Sequence, residues 1–163
     1  MIITYSNWMT GKKVDFREVT TDGPFVPSPG PLAPSKRPRQ SGAVMGAAPD
    51  SRGLPEWIEF RWQEWPYPGV PYPSDFAARQ VWNQRVDDLV HTLPIKSARV
   101  TVRQRVPADV VEQVLKSKNG STAVERDLAL WVFFAWHEDG VRFHWELRQG
   151  CCDVKREGGD VID

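Results

Sequence analysis

Hydrophobic and polar residues alternate along several stretches of this chain, and such alternation predicts β-strands with one buried face. In residues 54–62 the apolar positions on one side are Ile58, Phe60 and Trp62. Residues 128–136 are apolar at nearly every position, which is typical of a central strand covered on both faces. Further strands are predicted at residues 1–8, 13–19, 98–106 and 141–148.

Apolar residues recur at steps of three and four in two other stretches, and this spacing predicts amphipathic helices. The first helix begins after Ser74, the predicted N-cap, and ends before Pro94. Its apolar stripe consists of Trp82, Val86, Leu89, Val90 and Leu93. The second helix is shorter, beginning at Pro107 and ending at Asn119 and Gly120.

The order of these elements predicts an α+β fold, with a largely antiparallel sheet of about five to six strands and two helices packed on one face. A length of 163 residues suits a single domain over residues 1–163. Residues 23–53 contain seven prolines and five glycines, which predict a long loop. The polar residues 150–163 are expected to fray.

The charge balance, the apolar runs and the start of the sequence limit which binding partners and which cellular compartment we expect. Lys and Arg total 21, and Asp and Glu also total 21, so the sequence argues against a general nucleic-acid binder. No apolar run approaches the ~18 residues of a membrane-spanning helix. The start lacks the features of a secretory signal, so we expect the chain as written to be cytoplasmic, or periplasmic if a leader or lipoprotein signal was removed.

A search for catalytic motifs finds no His-Glu-x-x-His pair, phosphate-binding loop or nucleophile elbow. We therefore predict no enzyme activity, no cofactor and no metal. The nearest approach to a metal site is the pair His137 and His144: an antiparallel hairpin would bring them near each other, and a carboxylate as third ligand would complete a weak site. Cys151 and Cys152 are adjacent, and neighbouring cysteines rarely bridge each other. A Cys151 nucleophile paired with His144 lacks an orienting third group.

Three aromatic residues fall in a proline-rich stretch that cannot bury all of them by its own folding: Trp65, Tyr67 and Tyr72. Trp, Tyr and Arg dominate the energetic hot spots of protein interfaces, so these residues are candidate contacts for a protein partner. The alternative is that the stretch covers the edge of the sheet. The sequence leaves both interpretations open.

A second candidate surface is basic. Arg99, Arg103 and Arg105 fall on one face of the strand predicted at residues 98–106, and such a face would accelerate binding of an acidic protein partner. The alternative, which the sequence favours, is a solvated face on which Glu59 and Glu146 neutralise these arginines.

Residues 54–62, 99–111 and 140–147 resemble a bacterial family of unknown-function domains. Members of that family are small and often lipoproteins, and many are encoded beside type VI secretion effectors. The resemblance covers about residues 54–148 and implies an immunity protein, without implying catalytic residues. The chain departs from the family pattern in lacking a signal and a lipobox cysteine.

The leading hypothesis is therefore a non-enzymatic immunity protein that binds a cognate type VI secretion antibacterial effector and occludes its active site. An alternative is an envelope-associated binding module that holds a peptide or a lipid. A third hypothesis is a hydrolase with His144 and Glu146 in its active site.

Overall fold

The computed structural model describes residues 1–23, 26–35, 44–46, 54–67, 69, 71–117, 128–150 and 152–162. These residues form an α+β fold that consists mostly of sheet, which confirms the predicted fold class. The strands are β1 (Ile2–Asn7), β2 (Lys12–Thr21), β3 (Val44–Gly46), β4 (Trp57–Pro66), β5 (Lys96–Thr101), β6 (Ala129–His137), β7 (Gly140–Gln149) and β8 (Asp153–Gly159). The helices are α1 (Phe76–Thr92) and α2 (Ala108–Lys116).

The strands divide between two sheets, where the sequence predicted one. The larger sheet has the order β3-β1-β6-β7-β8, and β1 and β6 are its parallel pair. The smaller sheet has the order β2-β4-β5 and is antiparallel throughout. Although β1 and β2 are consecutive, they do not pair with each other. The Asn7 side-chain amide stabilises the connection between them by donating hydrogen bonds to the carbonyls of Lys12 and Leu32.

The hydrophobic core contains aromatic side chains from both sheets. Ile58, Phe60 and Trp62 are buried, as the alternation of β4 predicted. The Trp136 ring of β6 is fully buried, and its centroid lies 4.8 Å from Phe16 of β2, 5.1 Å from Phe60 and 6.0 Å from Trp62. Trp136 therefore connects the larger sheet to the smaller one.

Both predicted helices are present, but they contribute unequally to the core. The N-cap of α1 is Asp75 rather than Ser74, because the Asp75 carboxylate accepts a hydrogen bond from the Ala78 N–H at 2.8 Å. The predicted apolar stripe of α1 is only half-buried, and no residue of this helix is fully buried. By contrast, α2 buries Val110 completely. The predicted end of α2 at residues 119–120 is wrong, because the helix ends at Lys116 with the extended Ser117 as its C-cap.

The strand predicted at residues 98–106 is shorter than expected. β5 ends at Thr101, and a 3₁₀ turn at Arg103–Arg105 leads towards α2. The Val102 N–H donates to the Glu56 carbonyl, outside the regular strand pairing. The regular alternation of side chains across the predicted strand is therefore interrupted after β5.

The prediction of a frayed C-terminal tail is wrong, because residues 153–159 form the edge strand β8 beside β7. Asp160 follows this strand and stabilises its end. Its carboxylate accepts hydrogen bonds from the Phe143 N–H at 2.8 Å and from the Arg105 guanidinium at 2.5 Å. Burial by itself raises the pKa of Asp160, but these two hydrogen bonds and the arginine charge together lower it.

Gly159 permits the close approach of β8 to β7, and its replacement by alanine is expected to be strongly destabilising. Its φ is +105°, and a Cβ there would lie 2.4 Å from the Phe143 carbonyl oxygen. Backbone strain alone costs about 1–3 kcal/mol, and the overlap with the backbone adds to it. Gly150→Ala is the matched control, because Gly150 has φ +61° with open space around it and should cost about 1 kcal/mol. Equal urea midpoints for the two variants would contradict this account.

The described parts of the proline-rich stretch at residues 23–53 pack on the sheets. Val26 and Leu32 are buried, and Leu32 forms an isolated bridge with Val14 of β2. The Tyr5 hydroxyl of β1 donates to the Pro27 carbonyl at 2.8 Å. These parts cover apolar side chains, but the prediction of a loop throughout residues 23–53 is wrong, because Val44–Gly46 form β3 and pair with β1.

Candidate functional site

The six residues predicted to bind a partner do not form one surface. Trp65 is 8% exposed, because β4 continues beyond its predicted end to Pro66 and pairs Trp65 with Lys13. The Lys13 ammonium lies 5.1 Å from the centroid of the Trp65 ring. Tyr67 and Tyr72, in contrast, are 45% and 61% exposed. Trp65 therefore belongs to the folded body, and the two tyrosines remain candidates for contact.

The predicted basic face is dispersed because β5 ends at Thr101. Each of its three arginines pairs with a different carboxylate: Arg99 with Glu59 at 2.7 Å, Arg103 with Glu56 at 2.8 Å and Arg105 with Asp160 at 2.5 Å. The Arg99 guanidinium also lies 4.2 Å from the Trp57 ring centroid. The expected partner Glu146 lies instead in the larger sheet. Because each arginine pairs with a carboxylate, the structure agrees with the alternative prediction of a neutralised face. These three arginines therefore give no support to an acidic protein partner.

An exposed aromatic surface lies at the beginning of α1. We define the aromatic surface as Tyr72, Phe76, Arg79 and Trp82. The Tyr72 and Trp82 rings meet edge to face at 5.1 Å, and the Arg79 guanidinium lies 5.3 Å from the Tyr72 ring centroid. Phe76, in the first turn of the helix, is 72% exposed. Two exposed apolar rings thus lie beside a half-buried cation and a half-buried indole.

Arg79 is held in place by backbone carbonyls. Its guanidinium donates to the carbonyl oxygens of Pro73 and Ser74 at 3.0 Å and 2.9 Å. Within the described part of the chain it forms no ion pair with a carboxylate. The arginine is thus oriented, and its positive charge is available to an acidic group of another molecule.

A polar cluster lies on β7 and β8, on a face that the alternation of polar residues predicted to be solvated. Glu146 is fully buried and forms a close ion pair with Arg148. Nε2 of His144 lies 3.7 Å from Glu146 Oε1 and 3.5 Å from Glu157 Oε2. The facing carboxylate of Glu146 raises the pKa of His144, and this effect outweighs the opposing effect of burial.

The outer face of the larger sheet is covered by a small apolar cluster. Phe133, Ala135 and Ile162 are buried together there, and Trp8 and Trp131 pack against them. The Arg148 guanidinium lies over the Trp131 ring, 4.3 Å from its centroid. Two features of the sequence indicate this cover: β6 is apolar at nearly every position, and the mostly polar C-terminal tail contains the apolar Ile162.

The predicted approach of His137 to His144 is wrong. Along the hairpin, His137 pairs with Gly140 whereas His144 pairs with Phe133, so the register separates the two imidazoles. The His137 ring stacks instead on Trp8, with centroids 5.6 Å apart.

The two adjacent cysteines also differ from expectation. Cys152 is disulfide-bonded, contrary to the prediction that neighbouring cysteines remain unbridged. The hypothesis of a Cys151 nucleophile falls on a residue outside the described part of the chain.

Comparison of the chain with protein-family models, curated proteins and solved structures finds no match. Neither helix in the described residues combines the length and the apolar character needed to cross a membrane. The aromatic surface and the polar cluster on β7 and β8 are therefore the two candidate sites of the described residues.

Proposed function

We propose that this chain is a non-catalytic, partner-binding protein whose interface is centred on the aromatic surface. The observation that carries the proposal is the exposure of Tyr72 and Phe76 beside Arg79. Phe76 and Arg79 belong to α1, a helix in which no residue is fully buried. Scattered exposed apolar residues are common, but Tyr, Trp and Arg in direct contact match the composition of interface hot spots.

The packing of α1 supports this choice. A surface helix usually gains its stability by burying an apolar face, and the stripe of α1 is only half-buried. The Gln63 amide fixes the C-terminal end of the helix by donating to the Val90 and Leu93 carbonyls at 2.9 Å and 2.7 Å. The N-terminal end carries the exposed aromatic rings, so a partner that covers it would bury apolar surface on a positioned helix.

The chemistry of the aromatic surface defines the partner. Its rings require an apolar recess, and the Arg79 guanidinium requires a carboxylate once water is excluded, because an unpaired buried charge is strongly unfavourable. We therefore propose a folded protein that presents an apolar pocket with an acidic rim. The resemblance stated above implies a type VI secretion antibacterial effector as that protein, which this chain would neutralise by occluding its active site.

The experiment measures binding to the protein encoded by the neighbouring gene, using calorimetry and protection of cells that express it. Phe76→Ala and Arg79→Ala are each expected to weaken binding by about 2 kcal/mol, or roughly thirtyfold in Kd. Leu115→Ala is the matched control, because Leu115 is an exposed apolar residue on the other helix. Unchanged affinity in both α1 variants would overturn the proposed interface, and absence of both binding and protection would overturn the effector assignment.

A further inference from the structure

The geometry points to a divalent transition-metal site, with Zn²⁺ as the fitting ion, formed by His144, Glu146 and Glu157. This site is separate from the aromatic surface, and its existence does not depend on the proposed function.

Strand pairing brings the three side chains together. His144 and Glu146 are two residues apart on β7 and therefore point to the same face. Glu157 of β8 lies directly opposite Glu146 in the register. Like charges opposite each other on neighbouring strands are destabilising, and Arg148 compensates only one of these two carboxylates, so the cluster keeps a negative charge that favours a further cation. The three potential ligand atoms all lie within 4.8 Å of one another.

The hydrogen bond of the His144 ring defines which nitrogen faces the carboxylates. Nδ1 lies 3.1 Å from the Asp160 carbonyl oxygen, which can only accept, so Nδ1 carries the proton. Nε2 therefore points at the two glutamates and makes no hydrogen bond to a described residue. A histidine held at one nitrogen by a backbone carbonyl, with the other nitrogen directed at carboxylates, is the usual arrangement of a metal ligand.

The distances from His144 Nε2 to the two glutamate oxygens suit a shared zinc ion better than direct hydrogen bonds. At 3.5 Å and 3.7 Å, Nε2 is too far from the glutamate oxygens for a good hydrogen bond. Two ligands bound to one tetrahedral zinc ion at ~2.0–2.1 Å lie about 3.4 Å apart. The three ligand atoms lie within 4.8 Å of one another, so the exposed Glu157 side chain would have to move by about 1 Å to bring all three to bonding distance from one ion.

The surroundings hold the ligands in place and leave the ion a path of entry. His144 is 8% exposed, and Arg148 binds Oε2 of Glu146 at 2.5 Å while Oε1 faces the histidine. Glu157 is the exposed member, with 54% of its side chain accessible. Three protein ligands also leave one coordination position for water on that side.

A proton is the competing occupant, because protonation of Nε2 would also compensate the two carboxylates. A metal ion requires the neutral imidazole, so zinc affinity should fall as the pH is lowered towards the pKa of His144. Metal binding and protonation of the cluster therefore give different experimental results.

The test uses the full chain without an affinity tag, dialysed against chelator and titrated with ZnCl₂ by calorimetry at neutral pH. We expect about one Zn²⁺ per chain, and with Co²⁺ the visible absorption of a low-coordinate site. His144→Gln should abolish the absorption, and Glu157→Gln should weaken zinc binding at least ~10-fold.

The matched controls are His91→Gln and Asp153→Asn. His91 is an exposed histidine of α1, and Asp153 is an exposed carboxylate of β8 outside the cluster. Both controls should bind Zn²⁺ with the affinity of the unmodified chain. Absence of stoichiometric binding, or equal affinity in Glu157→Gln and Asp153→Asn, would overturn the site. A protonated His144 at neutral pH by NMR with saturating Zn²⁺ present would overturn it as well.

Discussion

Replacing Trp136 with alanine is expected to lower the free energy of unfolding by about 3–5 kcal/mol. The indole is fully buried and contacts Phe16 and Phe60 of the smaller sheet and Tyr5 of its own sheet. Its removal takes apolar surface from the core and leaves a cavity whose walls belong to two sheets. A domain of this size has a total stability of about 5–15 kcal/mol, so the loss is a large fraction of it.

Urea unfolding followed by far-UV circular dichroism would measure this effect. Phe76→Ala provides the control, because that side chain is 72% exposed and its removal should change stability by less than about 0.5 kcal/mol. Trp136→Phe should fall between the two, since a smaller ring keeps part of the packing. A Trp136→Ala variant as stable as Phe76→Ala would show that the two sheets do not share a core at this residue.

Replacing Glu146 with alanine is expected to cost about 3–5 kcal/mol, measured in chelator so that no metal contributes. Glu146 is fully buried beside Arg148, whose side chain is only 16% exposed. Without the carboxylate, a largely buried guanidinium remains without its ion-pair partner. The loss of stability thus arises mainly from the positive charge of Arg148, which remains buried.

A double variant separates that cause from simple loss of packing. Glu146→Leu with Arg148→Met removes both charges and fills a similar volume, and such replacements of buried ion pairs are often neutral. The double variant should therefore recover most of the stability lost in Glu146→Ala. If the double variant is as unstable as the single one, the uncompensated charge is not the cause.

Local patterns predicted much of the secondary structure, because burial follows alternation directly. Ile58, Phe60 and Trp62 are buried as the period of two required, and β6 is apolar because both of its faces are covered. The division into two sheets was not predictable in the same way. Alternation defines which side of a strand is apolar, but it contains no information on which strand lies beside it, and β1 pairs with the distant β6.

The candidate sites were predicted only in part, for two physical reasons. Tyr67 and Tyr72 are exposed because proline breaks the strand pairing after β4, and the proline-rich composition had left exposure and burial of this stretch equally open. His144 and Glu146 were assigned to a solvated face because polar residues usually are. His144 and Glu146 are buried because β8 and Ile162 cover that face. The polar composition of residues 150–163 gave no indication that this segment would do so.

The pairing of β1 with β6 has a consequence for synthesis on the ribosome. Ile2 pairs with Trp131, so the first strand of the chain has no partner on that side until more than a hundred further residues have been made. At elongation rates of about 5–20 residues per second, β1 waits for many seconds with that edge unpaired. The larger sheet is therefore completed only after β8 has been made, and shielding of β1 during that interval should reduce aggregation.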